Sequence, residues 1–330
     1  MTSTADSNRQ RAATIVSTAI EMGIQHMVLS PGARNTPLVL TLHDMQENGW
    51  PIDIHTILDE RAAGFYALGI ARRTDRPVLL ACTSGSAGTH YYPAIVEASQ
   101  SQVPLLVITA DRPEELQGRG SPQTMPQQNL YGPHVRFFFD LGTPQPENTA
   151  DTSHAVISKA VHAALGPAPG PVHLNTPFRK PLWEPDSLTP EVTDIHPYAR
   201  KRIPPQAADI ARLIEQTSNT KGVIVAGPDP SGRIPDESVI ALANLLGWPI
   251  LADPVSQLRF GKVGPIVHHH DVMLRSLRFR ELFNPTMAIT LGGTTSSKTL
   301  STLLGNIACI HICGSGQHQD PWQRVEWTLC

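Results

Sequence analysis

A continuous apolar run, Pro77 to Cys82, and a second, largely apolar stretch, Val103 to Ala110, do most to restrict what this chain can fold into. Neither alternates apolar with polar residues, so neither has a side suited to water. As strands they must be covered on both faces, the condition of a parallel strand inside an α/β sheet. Thr89 to Ser99 between them reads as a helix, and the same rhythm surrounds them. Gln10 to Met22 is helical by spacing, with Ala13, Ile15, Val16, Ala19 and Ile20 apolar. His26 to Leu29 reads as a strand, Thr36 to Met45 as a helix, Val135 to Leu141 as a strand, Ser153 to Leu165 as a helix and Pro171 to Asn175 as a closing strand. Strands alternating with helices predict an α/β fold, a doubly wound parallel sheet covered on both faces.

The chain has 330 residues, enough for two domains of roughly 100–200 residues each. Pro177 to Pro205 is punctuated by Pro181, Pro185, Pro190, Pro197 and Pro204 without periodicity and reads as a linker. The expected division is a first domain over 1–180, a linker over 181–204 and a second domain over 205–330. The second repeats the βα rhythm: helix Ala207 to Gln216, strand Gly222 to Ala226, helix Asp236 to Leu246, strand Pro249 to Ala252, helix Val272 to Phe283, strand Met287 to Leu291, helix Ser297 to Leu304 and strand Ile307 to Ile312, with a tail from Pro321. A net charge of −3 gives no argument for nucleic acid or an anionic membrane as partner. No apolar run approaches the roughly 20 residues of a membrane span, and Met1 to Arg11 lacks the apolar core of a signal peptide. Cys82, Cys309, Cys313 and Cys330 have no metal-type spacing; the first three lie in or beside apolar runs and read as buried thiols. A reducing, cytoplasmic setting is the expectation.

The stretch from His55 to Arg73 joins a strand to a helix. Ile57 and Leu58 read as strand, Asp59 as N-cap, and Ala63, Tyr66, Ala67 and Ile70 as the apolar face, with Gly64 and Gly69 allowing close packing. Glu60 therefore falls at the carboxyl end of a strand, the edge where open α/β sheets bind ligands. By itself it could equally complement the helix dipole. Three more segments follow strands: Ser30-Pro31-Gly32-Ala33-Arg34-Asn35-Thr36-Pro37, Thr83-Ser84-Gly85-Ser86-Ala87-Gly88 and Thr109-Ala110-Asp111-Arg112-Pro113. Arg34 and Arg112 by themselves could be surface arginines, and Thr83 to Ser86 a turn and cap without a ligand.

Together with Asp59-Glu60-Arg61, these segments resemble the pyrimidine-binding domain of thiamine-diphosphate enzymes, and among them the synthases of menaquinone biosynthesis. The resemblance is strong over Ser30 to Pro177 and weaker beyond. It implies a pyrimidine-binding fold followed by a Rossmann-like middle domain, and the cofactor thiamine diphosphate with Mg²⁺ or Mn²⁺. The implied reaction decarboxylates 2-oxoglutarate and adds the resulting succinyl unit to isochorismate. Glu60 takes the role of the acid bonded to the pyrimidine ring, best served by a raised pKa in a poorly solvated pocket. Pro31, Gly32, Thr83, Ser84, Gly85 and Ser86 take positions beside the cofactor. Arg34, Arg112, Gln123 and Lys298 take positions beside the substrates, the arginines suited to carboxylates by paired hydrogen bonds. Ala33, His90 and Thr299 depart from the residues typical of relatives, which hold a serine, an asparagine and in some an arginine there.

The family anchors the diphosphate and its metal through a Gly-Asp-Gly motif and a downstream Asn in a third domain. No Gly-Asp-Gly occurs in these 330 residues. The resemblance therefore covers two of three domains, and the expectation is that this polypeptide alone binds the cofactor weakly and turns nothing over. A homodimer or tetramer, or a separate chain carrying the diphosphate-binding domain, is the implied partner. A non-catalytic or split-enzyme subunit and another 2-oxoacid-using thiamine-diphosphate enzyme are the competing readings. His268-His269-His270 reads as a surface loop, since adjacent side chains point in different directions and rarely share one ion. Gly227-Pro228-Asp229-Pro230-Ser231-Gly232 reads as a plain loop, and no GxGxxG follows a strand in the second half.

Overall fold

The computed structural model describes residues 3–145, 149–184, 204–229, 232–314 and 319–329. The chain divides into two compact units, Met1–Arg200 and Lys201–Cys330. Most of the expected linker, 185–203, lies outside the described residues.

The first unit runs α1 (Thr4–Glu21), β1 (His26–Ser30), a 3₁₀ turn (Ala33–Asn35), α2 (Thr36–Glu47), β2 (Asp53–Thr56), α3 (Glu60–Thr74), β3 (Val78–Cys82), α4 (Ala87–His90), α5 (Tyr92–Gln100), β4 (Leu105–Asp111), β5 (Phe138–Asp140), α6 (Thr149–Ala164) and β6 (Pro171–Pro177). Its six strands are parallel, in the order β2-β1-β3-β4-β6-β5. These two stretches became β3 and β4, wholly buried. Alternate residues of β4 serve opposite cores. Leu106, Ile108 and Ala110 pack with Ile15 of α1, Leu38 of α2 and Ile157 of α6. Leu105 and Val107 pack with Ala63 and Ala67 of α3 and Ile95 of α5. Each of the Leu, Ile and Val side chains stabilises the fold by about 1.5–3 kcal/mol on burial.

The chain leaves β1 for β2 on one side and returns to β3 on the other. That reversal is the topological switch point, where the loops after β1 and β3 part and leave a crevice.

The second unit runs α7 (Ala207–Thr217), β7 (Gly222–Ala226), α8 (Asp236–Leu246), β8 (Ile250–Ala252), β9 (Ile266–Val267), α9 (His270–Met273), α10 (Leu277–Leu282), β10 (Met287–Leu291), α11 (Lys298–Leu304), β11 (Ala308–Ile312) and β12 (Val325–Leu329). Its sheet is also parallel, ordered β12-β11-β10-β7-β8-β9. Val239 and Ala243 of α8 cover one face and Leu300 and Leu304 of α11 the other.

Several local expectations fail. The tail from Pro321 contains β12, whose Val325 to Leu329 pair with β11; a single alternating edge strand gave no apolar run to read. Helix Thr89 to Ser99 is two pieces broken at Tyr91, and Val272 to Phe283 is broken between Met273 and Leu277. The strand before Glu60 ends at Thr56, and Leu58 is 80% exposed. Gly64 does let α3 close on Ala94 of α5, where a Cβ would come within 3.0 Å, but Gly69 faces open space. His270 is no surface residue: it opens α9, buried, with Nδ1 3.0 Å from the Val267 carbonyl oxygen.

The second unit depends on one backbone crossing. A Cβ on Gly227 would lie 1.8 Å from the Gly293 carbonyl oxygen. Gly227 N–H donates to the Leu291 carbonyl and Gly293 N–H to that of Pro228, both at 2.8 Å. Neither strand end can yield without losing such a bond. Gly227→Ala is expected to destabilise this unit by about 3 kcal/mol. Denaturant unfolding followed by tryptophan fluorescence checks this; an unchanged midpoint contradicts it.

Candidate active site

Strand register places one transverse row across the carboxyl edge of the first sheet. Ser30 pairs with Cys82, Cys82 with Thr109, Thr109 with Asn175 and Asn175 with Asp140. On the other flank, Leu29 pairs with Thr56. The candidate residues of this unit lie just past that row: Pro31, Gly32 and Arg34 after β1, Glu60 after β2, Thr83 to Ser86 after β3 and Arg112 after β4. Parallel strands put all these ends on one edge, which is why segments far apart in sequence converge.

Arg34 is not a surface residue; it is 4% exposed. The turn holding it is clamped by Asn35, which accepts from Gly32 N–H at 2.8 Å and donates to the Ser30 carbonyl at 3.1 Å. Arg34 N–H donates to Thr83 Oγ1 at 3.1 Å, joining the two sides of the switch point. Its guanidinium donates to the Phe178 carbonyl at 2.6 Å, while Nε is buried without a partner. Burial brings its pKa down to about 10. The nearby Arg112 cation pushes the same way, while Asp111 and Glu115 pull it back up. A buried cation with an unused N–H and a second cation beside it suits an anion.

Gly32 fits against Thr83, where a Cβ would come within 2.6 Å of the threonine Cβ. Thr83 and Ser84 are buried, and Ser84 Oγ has no partner. Gly85 turns the chain at φ +82°, a conformation that favours glycine. Gln123, itself at φ +56°, donates from Nε2 to the Ser84 carbonyl at 3.0 Å, and its Cγ closes on Gly85. Ser86 is exposed and leads into α4 without a side-chain cap bond.

Glu60 is the first residue of α3, behind an Asp59 N-cap that accepts from Ala62 N–H at 2.8 Å. It is half-buried, and among the described residues its carboxylate has no hydrogen-bond partner. Its charge reaches the buried Tyr91 phenol and Cys82 thiol. Burial is the main cause that raises both groups, and Glu60 adds to it.

Arg112 has its N–H on Asp111 Oδ1 at 2.7 Å and donates from the guanidinium to the Pro122 carbonyl at 3.3 Å. Beside it opens a cavity of about 380 Å³, lined among others by Asp111, Gln117, Met125, Gln127 and Asp140. Sequence reasoning gave no role to Asn35, Gln127 or Asn175, all buried here. Asn175 carried a weak signal, a polar residue in a strand-like run that also holds His173. Gln127 carried none, in an irregular stretch rich in Pro and Gln.

Lys298 lies on the second unit as the first residue of α11, exposed, behind a Ser297 cap that accepts from Leu300 N–H at 3.1 Å. Thr299 and Ser297 both donate to Asp271, which holds that carboxyl down at about 2. Among the described residues, no group of three or more His, Cys, Asp or Glu is placed to hold a metal ion, and no helix is long and apolar enough to cross a membrane.

Residues 10–130 match the N-terminal TPP binding domain of the thiamine pyrophosphate enzymes, and residues 186–312 their middle domain. Over these two domains the chain belongs to the thiamine pyrophosphate enzymes. Among curated proteins it is similar to the 2-succinyl-5-enolpyruvyl-6-hydroxy-3-cyclohexene-1-carboxylate synthases of three microbes. That of Listeria innocua is 37% identical over 89% of this chain and 51% of its own length. That of Halorubrum lacusprofundi is 37% identical over 96% and 54%, and that of Myxococcus xanthus 36% over 90% and 52%. The chain thus spans about half the length of the curated relatives it matches.

Proposed function

We propose that this chain supplies the pyrimidine-binding and middle domains of a thiamine-diphosphate-dependent synthase of menaquinone biosynthesis. That enzyme would decarboxylate 2-oxoglutarate and add the succinyl unit to isochorismate, giving 2-succinyl-5-enolpyruvyl-6-hydroxy-3-cyclohexene-1-carboxylate. The observation that carries the reading is Arg34, a buried guanidinium with an unused N–H at the switch point, on a chain 37% identical to synthases of that name.

The residues present fit the aminopyrimidine end of the cofactor. Ser84 Oγ and Arg34 Nε are buried polar atoms without partners, Gly32 and Gly85 keep the backbone bare of Cβ atoms, and Glu60 has a free carboxylate. Thiamine diphosphate, when bound, supplies the nucleophilic carbon for decarboxylation and carbon–carbon bond formation. Glu60 holds a proton at a carboxyl oxygen against the pyrimidine ring. Gly32 and the Pro31, Thr83, Ser84, Gly85 and Ser86 backbone shape the wall beside it. Arg34 and Arg112 hold substrate carboxylates, with Gln123 at the rim; Lys298 is assigned to the substrates by resemblance alone. The diphosphate and its Mg²⁺ or Mn²⁺ are left to residues outside these 330, on the same or another polypeptide, in a dimer or higher oligomer.

The test is co-expression with a polypeptide carrying a diphosphate-binding domain, followed by assay with 2-oxoglutarate and isochorismate and, in parallel, with pyruvate alone. The expected product is the named carboxylate from the first; acetolactate from the second and nothing from the first would favour a different 2-oxoacid enzyme. The 330 residues by themselves are expected to show weak cofactor binding and no turnover, and tight Mg²⁺-dependent binding in calorimetry would contradict that. Arg112→Ala is expected to raise the KM for substrate by about 10- to 100-fold, the loss of one charge-assisted contact of about 1.5–3 kcal/mol. Unchanged kinetics would remove Arg112 from the substrate site.

A further inference from the structure

Gln127 is 1% exposed and lies 42 residues beyond Gly85, yet its amide holds that glycine. Its Oε1 accepts from Gly85 N–H at 2.7 Å. Its Nε2 donates to the Ala110 carbonyl at 3.1 Å and to Asn175 Oδ1 at 3.2 Å. All three bonds use one amide, and none survives a flip: the NH₂ would then face the Gly85 N–H, donor against donor, and the oxygen would face two acceptors.

The orientation is fixed from behind as well. Asn175 Nδ2 donates to Asp111 Oδ2 and to Asp140 Oδ2, each at 3.0 Å, so Asn175 Oδ1 must point back toward Gln127. The same oxygen accepts from Thr109 Oγ1 at 2.9 Å. Thr109, having spent its proton, takes its second bond from His173 Nε2 at 2.8 Å. A buried network whose donors all run one way is stiff, because no member can rotate without leaving another unpaired. Asp111 and Asp140 end the network, and Asp111 also accepts from Arg112 N–H.

We propose that Gln127 is the positioning residue of the Thr83–Ser86 turn. Its amide ties Gly85 to the ends of β4 and β6, and so fixes where Thr83 and Ser84 stand relative to Arg112. Arg34 N–H on Thr83 Oγ1, Gln123 Nε2 on the Ser84 carbonyl and Thr89 on the Ser86 carbonyl also hold the turn, but none of them reaches the Gly85 N–H. Gly85 has φ +82°, Ser86 makes no cap bond, and Gln123 closes on the turn from an exposed position. The strut is read from geometry alone; its consequence for turnover rests on the function proposed above.

Hydrogen exchange at the Gly85 amide tests the strut in the 330-residue chain without any cofactor. In the wild type this amide is expected to exchange as slowly as those of β3. Gln127→Met keeps the length and removes all three bonds, and Gln127→Asn is too short to span Gly85 and Asn175. Both are expected to speed Gly85 exchange by at least about tenfold, the loss of one buried bond of about 1.5 kcal/mol, with Leu80 unchanged. A wild-type Gly85 that exchanges like a free turn overturns the proposal, whether or not the variants fold. So does an unchanged rate in both variants.

In the enzyme reconstituted with the diphosphate-binding domain, Gln127→Met is expected to lower kcat by about 10- to 100-fold, the effect of a displaced contact. The KM for 2-oxoglutarate should stay within about threefold, because the arginines keep their bonds. A wild type that makes no product while Gly85 responds as expected sinks the functional reading and leaves the strut standing. A wild type that turns over beside a Gln127→Met enzyme of equal kcat overturns the positioning role.

Discussion

Glu60→Gln is expected to lower turnover of the reconstituted synthase by at least about 100-fold, the scale of a lost general acid–base group. The fold should hardly register the change. The Glu60 carboxylate has no hydrogen-bond partner among the described residues, so its removal breaks no bond of the resting protein. The Asp59 cap on the same helix is untouched, since it bonds Ala62 N–H. A near-isosteric change at a half-exposed site costs no more than about 0.5 kcal/mol. The two readings of this residue therefore predict opposite patterns. If Glu60 only complements the α3 dipole, the variant loses a little stability, at most about 1 kcal/mol, and keeps its activity. If it holds the proton on the aminopyrimidine, stability stays and activity goes. Exchange of the thiazolium C2 proton in the reconstituted enzyme separates chemistry from binding. A wild-type exchange rate in Glu60→Gln would end the assignment.

The parts of this protein that were legible in its sequence share one property: their signal is local. Runs such as Val78 to Cys82 and Leu105 to Asp111 are buried on both faces, so every residue reports the same environment, and the central strands followed from that. The turns after β1, β2, β3 and β4 were legible as motifs, because parallel strands send their carboxyl ends to one edge. Whether a side chain in such a turn is buried was not legible. Arg34 reads like any arginine after Pro-Gly, and only its contact with the Phe178 carbonyl, 144 residues away, shows that it faces inward. Gln127 and Asn175 lay further out of reach, since their roles consist of bonds to residues 42 and 64 positions distant. At the other extreme, β12 failed because an edge strand with one half-buried face lacks the continuous apolar run that marked its neighbours. The breaks at Tyr91 and between Met273 and Leu277 failed for a related reason, as helical spacing continues across them.

The same network predicts how the first unit responds to acid. His173 is fully buried in β6, between the Tyr131 ring at 4.7 Å and the Phe138 ring at 5.1 Å. Its Nε2 meets Thr109, and its Nδ1 has no partner that could accept a second proton's bond. Burial drops its pKa from the ordinary 6.5 to about 3. The unfolded chain therefore takes up a proton below pH 6.5 that the folded chain refuses. Stability from this group is complete above pH 6.5 and declines as pH falls toward 3, by about 1.4 kcal/mol per pH unit. Asp111 acts in the opposite sense: burial raises it, so the folded state binds its proton more readily and gains as pH falls through that window. His173→Gln can keep a donor for Thr109 and removes the titration. Between pH 7.5 and pH 5, the wild type is expected to lose about 2 kcal/mol more than this variant, read as the difference in denaturant midpoints at the two pH values. Equal losses would mean that the buried imidazole is not what limits the unit in acid.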